Sequence, residues 1–281
     1  MSAEATSSSR RRPATPGIVA LLTLVLLLVL GPLLTPHDPV EQHREIANTG
    51  PSPHNWLGAD EYGRDVLSRF LAGGSWSILT GVAATALVLI LGWSIGGVAG
   101  FKGGWLDQVC MRIGEVMLSL PWLYVLIGLR AVLPLDMKPR AVVATMLAII
   151  ALVSWARPAR LVRGLVLTLS QKGYVEAARG FGVPEWKIFL RHILPGTLGV
   201  LGAQALVLFP RFVLAEVTLS FLGLGVGEPE PSWGTLILGV KQAYLLREQW
   251  WRLLPVLLML PLFVSCAVAA RSFADRYRPA R

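Results

Sequence analysis

Apolar and polar positions in this chain segregate on a long scale rather than alternating at the period of a strand or a short amphipathic helix. Six apolar runs, at 17–34, 75–100, 112–133, 141–162, 196–222 and 251–270, each approach the roughly twenty residues that cross a bilayer as a helix. The pattern predicts an all-α, polytopic membrane protein with six transmembrane helices. Residues 1–16 read as a disordered tail carrying Arg10, Arg11 and Arg12, and 272–281 as a second polar tail. The first run is longer than a signal-peptide core, and GPLLTP after it is not an A-x-A-like cleavage site. It reads as an uncleaved span; a twin-arginine export signal is the weaker alternative, because further spans follow. Residues 35–74 form a polar loop broken by Pro36, Pro39, Pro51 and Pro53, and 75–271 form a five-helix core. Within the loop, 64–71 predicts a short amphipathic helix with Val66, Leu67, Phe70 and Leu71 on one face, and an Asp65–Arg69 pair at i,i+4.

Two details of the spans carry packing information. Gly92, Gly96 and Gly100 repeat every fourth position, so another helix backbone can approach closely, either within the chain or across a subunit interface. Residues 101–108 read as a Gly-rich turn, and Pro121 removes a backbone donor and predicts a kink in the third span. In the outer loop 225–250, Trp233, Leu236, Ile237, Val240 and Tyr244 share one helical face, the pattern of an interfacial helix, and Trp250-Trp251 mark re-entry.

The segment 171–195 is unlike the other connections. Its sequence from Tyr174 onward, YVEAARGFGVPEWKIFLRHILP, places Tyr174, Ala177, Ala178 and Phe181 at i, i+3, i+4, i+7, the stripe of an amphipathic helix. Gly182 suits a helix C-terminus and Pro184 the first turn of a new helix. The second stripe is Trp186, Phe189, Leu190 and Ile193, and Pro195 is expected to end that helix. A structured polar insert between two spans predicts a docking surface.

Composition agrees with the apolar pattern: 54% of residues are hydrophobic and 15% charged, against about 25% charged in soluble domains. The formal charge of +9 is accounted for by orientation. With both termini cytoplasmic, sixteen Lys and Arg fall inside and nine outside, with Arg211 within a span, the sign that the positive-inside rule requires. Nucleic acid is not needed to explain the basic balance. Cys110 and Cys266 lie in different segments without motif spacing and read as free thiols.

The insert also resembles a known family. Glu176-Ala177-Ala178, then three residues, Gly182, and Leu194-Pro195 resemble the EAA loop of ABC importer permeases; His192 stands where the family pattern has isoleucine. Leu57-Gly58-Ala59-Asp60-Glu61-Tyr62-Gly63-Arg64-Asp65 is similar to the LGTDxxGRD segment of one permease subtype. Leu219-Ser220-Phe221-Leu222-Gly223-Leu224-Gly225 with Pro231-Ser232-Trp233-Gly234 is similar to another stretch of the same subtype, the C-type subunit of dipeptide, oligopeptide and nickel importers. The resemblance implies a type I ABC importer permease fold in a prokaryotic inner membrane. It further implies a homologous second permease, two ATP-binding subunits using ATP and Mg, an extracytoplasmic substrate-binding protein, and ATPase coupling through Glu176, Ala177, Ala178, Gly182, Leu194 and Pro195. Peptides are the expected cargo; nickel or another small solute is the alternative.

The remaining chemistry bears on function class. No Gly-Lys dipeptide occurs, so the phosphate-cradling P-loop is missing and ATP hydrolysis by that chemistry must come from partners. No cofactor site and no catalytic constellation stand out. His37, His43 and His54 share one outer loop but lack the close spacing of a helical metal site, so no metal is assigned. Arg211 and Glu216 are intramembrane charges and therefore functional candidates, Glu216 near an outer gate and Arg211 on the translocation path. Five residues apart, they are poorly placed to pair. An ion-coupled secondary transporter would need more intramembrane carboxylates than Glu216 and Glu115 provide.

Overall fold

The computed structural model describes residues 15–276 apart from 36, 135–136 and 241–248, so the Arg10–Arg12 cluster, Tyr244 and the last five residues lie outside it. The described residues hold helices and no β-strand. They are α1 (Thr15–Leu30), α2 (Val66–Lys102), α3 (Gly104–Ser119), α4 (Trp122–Ala131), α5 (Pro139–Ser154), α6 (Ala156–Ser170), α7 (Gly173–Gly180), α8 (Glu185–Ile188), α9 (Leu198–Phe221), α10 (Trp233–Leu238) and α11 (Leu254–Arg276). Three helical runs, Val66–Lys102, Glu185–Phe221 and Trp250–Phe273, are long and apolar enough to cross a membrane, or up to five if each of two bent pairs counts as one span. Gly17–Leu33 is apolar but shorter.

The bent pairs have visible causes. Leu120 and Pro121 adopt extended backbone, and α3 and α4 meet there at 84°. Pro121 thus divides the third run into two helices, a sharper break than the kink its sequence predicts. At 10 residues, α4 is about 15 Å long, half of the hydrocarbon thickness. A second bend, of 46° at Trp155, separates α5 from α6, and α6 continues past the predicted end of its span to Ser170.

Helix α2 is the spine. The short helix expected at 64–71 and the second span form one helix of 37 residues, about 55 Å at the α-helical rise. Asp65 caps it, accepting from the Ser68 backbone N–H at 2.8 Å and the Ser68 hydroxyl at 2.7 Å. With its carboxylate engaged there and with Asn55, Asp65 does not pair with Arg69 as expected. The tight Gly-rich turn expected over 101–108 is confined to Gly103: α2 stops at Lys102 and α3 starts at Gly104.

The glycine repeat packs within the chain. A Cβ on Gly92 would lie 2.7 Å from Pro158, one on Gly96 2.1 Å from the Ala159 carbonyl oxygen, and one on Gly100 2.9 Å from the Arg163 carbonyl oxygen. Each contact is with α6, whose backbone the missing side chains admit. Two hydrophobic clusters then share α2 and α9. One joins Val88, Leu126, Met146, Ile150, Phe212 and Leu219 from α2, α4, α5 and α9. The other joins Leu21, Ile78, Val213, Trp233, Met259 and Leu262 from α1, α2, α9, α10 and α11.

Trp233 corrects the interfacial-helix expectation. It is fully buried, stacks on Phe70 with ring centroids 5.6 Å apart and donates its indole N–H to the Phe70 carbonyl at 3.1 Å. Close approach by Gly74, where a Cβ would sit 2.8 Å from the indole nitrogen, leaves room for the ring. Ser232 and Thr235 form a reciprocal capping box at the start of α10.

Around this plug the polar segments that precede α2 and α10 are clamped by ion pairs. Glu228 receives Arg64 at 2.6 Å and Arg69 at 2.8 Å, while Asp60 receives Arg64 Nε at 2.7 Å. Both guanidinium groups are buried, and Arg69 also reaches the Pro39 carbonyl at 3.1 Å. Burial alone disfavours the Arg64 charge, but the hydrogen bond to Glu228 and pairing with Asp60 outweigh it and hold this group above its ordinary pKa.

Two stability predictions follow from these contacts. Gly96→Val is expected to destabilise the detergent-solubilised protein by about 1–3 kcal/mol, the range for overpacking. Gly128→Ala, at a position with nothing within 4 Å of the added carbon, should leave the melting temperature near wild type; equal melting of both variants would refute the α2–α6 seam. Glu228→Ala strips two buried guanidiniums of an acceptor, at about 1–3 kcal/mol. It should speed hydrogen exchange over residues 43–65, and unchanged exchange there would contradict the clamp.

Candidate functional site

The insert is a helical hairpin, built from α7 and the helical run that begins with α8. Its inward contacts are made by Val175 and Ile188, both fully buried, against Val162 and Val166 of α6 and Ile193. Ala178 is partly buried on the same cluster. Gly182 adopts φ +73°, a left-handed conformation that closes α7. Its N–H reaches the Arg179 carbonyl at 2.9 Å, and that of Val183 reaches Ala178 at 3.1 Å. Arg179 then ties the two arms together through Glu185 at 2.8 Å, a hydrogen bond that raises the pKa of the guanidinium.

The apolar stripes do not face the chain's own core. Tyr174, Phe181, Trp186 and Leu190 stand 49%, 86%, 64% and 53% exposed. Packing uses Val175, one position from the predicted stripe, so the large side chains are left outward. Phe189 and Ile193 do turn inward: Phe189 stacks on Phe101 at 4.7 Å between centroids, and Ile193 is fully buried. Glu176 and Ala177 are exposed on α7. These exposed apolar side chains share the hairpin with the exposed charges of Glu176, Arg179 and Lys187, which makes it a candidate contact surface.

Pro195 does not end the second arm. From Glu185 the chain stays helical through a π-turn at Phe189–Ile193 and a 3-10 turn at Leu194–Thr197 into α9. Proline is tolerated near the first position of that turn, where its missing N–H has no partner to lose. Leu194 is buried near Gly97 of α2, and Thr197 accepts from the Trp93 indole at 2.9 Å. The insert is thereby continuous with α9 and anchored to α2.

Arg211 and Glu216 are not paired. Glu216 is fully buried and accepts from the Ser220 hydroxyl at 2.7 Å, one helical turn below the loop that leads to the clamp. Arg211 lies over the Trp122 ring, 4.0 Å from its centroid. Glu115 is engaged by Arg112 and Arg160 at 3.1 and 3.0 Å. Among the described residues no group of three or more His, Cys, Asp or Glu side chains is placed to hold a metal ion.

Sequence reasoning missed the joint roles of Asp60, Arg64, Arg69 and Glu228. The signal was present as two separately read stretches, around LGADEYGRD and GEPEPSWG, with complementary charges. Only the fold shows that segments 164 residues apart meet.

Comparison with known proteins agrees with these features. Residues 89–279 match the family described as binding-protein-dependent transport system inner membrane component. The chain is 38% identical over 244 residues to the dipeptide transport system permease protein DppC of Bacillus subtilis, covering 87% of this chain and 74% of the relative. It is 36% identical to the probable D,D-dipeptide transport system permease protein DdpC of Escherichia coli, covering 83% and 76%. The oligopeptide transport system permease protein OppC of Bacillus subtilis is 33% identical, covering 79% and 71%. A helical membrane chain with a long intramembrane α2, a structured insert and matches of this extent belongs to the family of binding-protein-dependent transport system inner membrane components, and is a transport subunit rather than an enzyme.

Proposed function

We propose that this chain forms half of the translocation path of an ATP-driven peptide importer and takes its drive through the insert. The observation that carries the reading is the exposed patch of Tyr174, Phe181, Trp186 and Leu190 on a hairpin rooted in α6 and continuous with α9. A chain without a P-loop needs a surface on which soluble ATPases act, and this patch supplies one. In this reading six spans, including α1 and both bent pairs, cross the inner membrane of a prokaryote with both termini cytoplasmic. The partners are a homologous permease, two ATP-binding subunits that carry ATP and Mg, and an extracytoplasmic substrate-binding protein. Peptides are the cargo named for the dipeptide and oligopeptide relatives, and that cargo is extended here to this chain.

The mechanics follow from the fastening of the hairpin. Glu176, Ala177 and Ala178 lie along α7, where small side chains admit a partner surface. Gly182 holds the angle between the arms, and Arg179–Glu185 stiffens it. Leu194 and Pro195 mark the entry to α9. A push on α7 is passed to α6 through Val175 and to α9 through the unbroken helical run, tilting both around the path.

Phe181→Asp should leave the fold intact, because the side chain touches little of this chain. It is expected to lower both substrate-stimulated ATPase activity and uptake by the reconstituted complex at least about tenfold, the scale of losing a buried aromatic contact. Gly182→Ala, which must adopt a positive φ at roughly 1 kcal/mol, should reduce coupling less severely. Wild-type ATPase stimulation and uptake in both variants would overturn the coupling reading.

A further inference from the structure

Helix α9 buries Phe209, Val213 and Val217 in one cluster and a second face in another. Leu208, Phe212, Ala215 and Leu219 are buried. On the strip beside that second face run Gln204, Val207, Arg211, Leu214 and Thr218, with Val207 and Leu214 51% and 49% exposed. The polar members recur every seven residues, so they line one track along the helix. The Gln204 Oε1 is buried without a hydrogen-bond partner among the described residues. Partly buried Arg211 rests on Trp122, the first residue of α4 after the 84° break.

Two facts set Arg211 apart from a structural ion pair. Among the described residues it pairs with no carboxylate, and Glu216 is committed to Ser220 in the core. A guanidinium of this kind is strongly disfavoured against lipid hydrocarbon, so this face of α9 looks onto protein or water. Its planar fork of donors, placed over an indole ring, matches a carboxylate and repels an ammonium group.

We propose that Arg211, seated on Trp122, is a carboxylate-binding site on the translocation path. Its ligands are small solutes with a free carboxylate, such as peptides with an unblocked C-terminus. The inference rests on the transport reading above and adds the chemical class that the membrane step selects.

The test uses the complete complex of this chain, the second permease, the ATPases and the binding protein in proteoliposomes. A mixed library of short peptides and the same library amidated at the C-terminus are offered, imported peptides are read by mass spectrometry, and loading of the binding protein is measured separately. The ratio of free-acid to amide import, corrected for that loading, should fall about tenfold or more in Arg211→Gln, the factor one charge-assisted hydrogen bond supplies. Arg211→Lys should retain an intermediate ratio. Trp122→Leu keeps the charge but removes the platform; it should shift the ratio in the same direction and serves if Arg211→Gln fails to assemble. An unchanged ratio overturns the proposal. So does an equal loss of both libraries, which assigns Arg211 to a carboxylate of the second permease. Absence of ATP-dependent import by the wild-type complex refutes the transport reading itself.

Discussion

Contact between α2 and α6 without intervening side chains is the constraint on which the rest of this molecule depends. Lipid tails are as apolar as leucine, so helices in a membrane gain little from hydrophobic burial against one another and rely on close packing. Gly92, Gly96 and Gly100 provide it by letting the Pro158–Arg163 stretch of α6 lie against the α2 backbone. Larger residues there would push α6 outward, and with it Val162 and Val166, the floor on which the hairpin rests.

Because α2 is about 55 Å long, it also links the two faces of the protein. Its inner end meets α6 and the root of the insert, where Leu194 packs by Gly97 and Thr197 holds Trp93. Its outer end is capped by Asp65 and fastened through Arg69 to Glu228. The buried Trp233 then wedges α10 between the outer ends of α2 and α9. Helices α6 and α9 are therefore joined to the loops at the far end of α2 by packed helices.

Much of this was legible in the chain. Apolar runs located the helices, and EAA with Gly182 located the hairpin because a left-handed turn between two short amphipathic arms leaves a local signature. What was not legible depended on tertiary competition. Asp65 and Arg69 have ideal i,i+4 spacing, yet Asp65 is taken by the helix cap and Arg69 by a residue 159 positions away. Trp233 has the periodicity of an interfacial anchor, but glycines on α2 open a slot that buries it. The aromatic stripe of the insert was readable as a stripe, and not which way it faced: the buried position is Val175, a residue outside the stripe. Pro195 was read as a stop because its effect on an isolated helix is large; a π-turn and a 3-10 turn absorb it here.

The central claim is that the aromatic face of the hairpin is where a soluble ATPase meets the membrane part. It is tested most directly by placing a single cysteine at Phe181→Cys, with Cys110 and Cys266 replaced by serine, and applying a short thiol-to-amine cross-linker to the assembled complex. The account predicts a product containing this chain and one ATP-binding subunit, with a yield that changes when ATP is added. A product only with the extracytoplasmic binding protein, or none with the ATP-binding subunit, would contradict it.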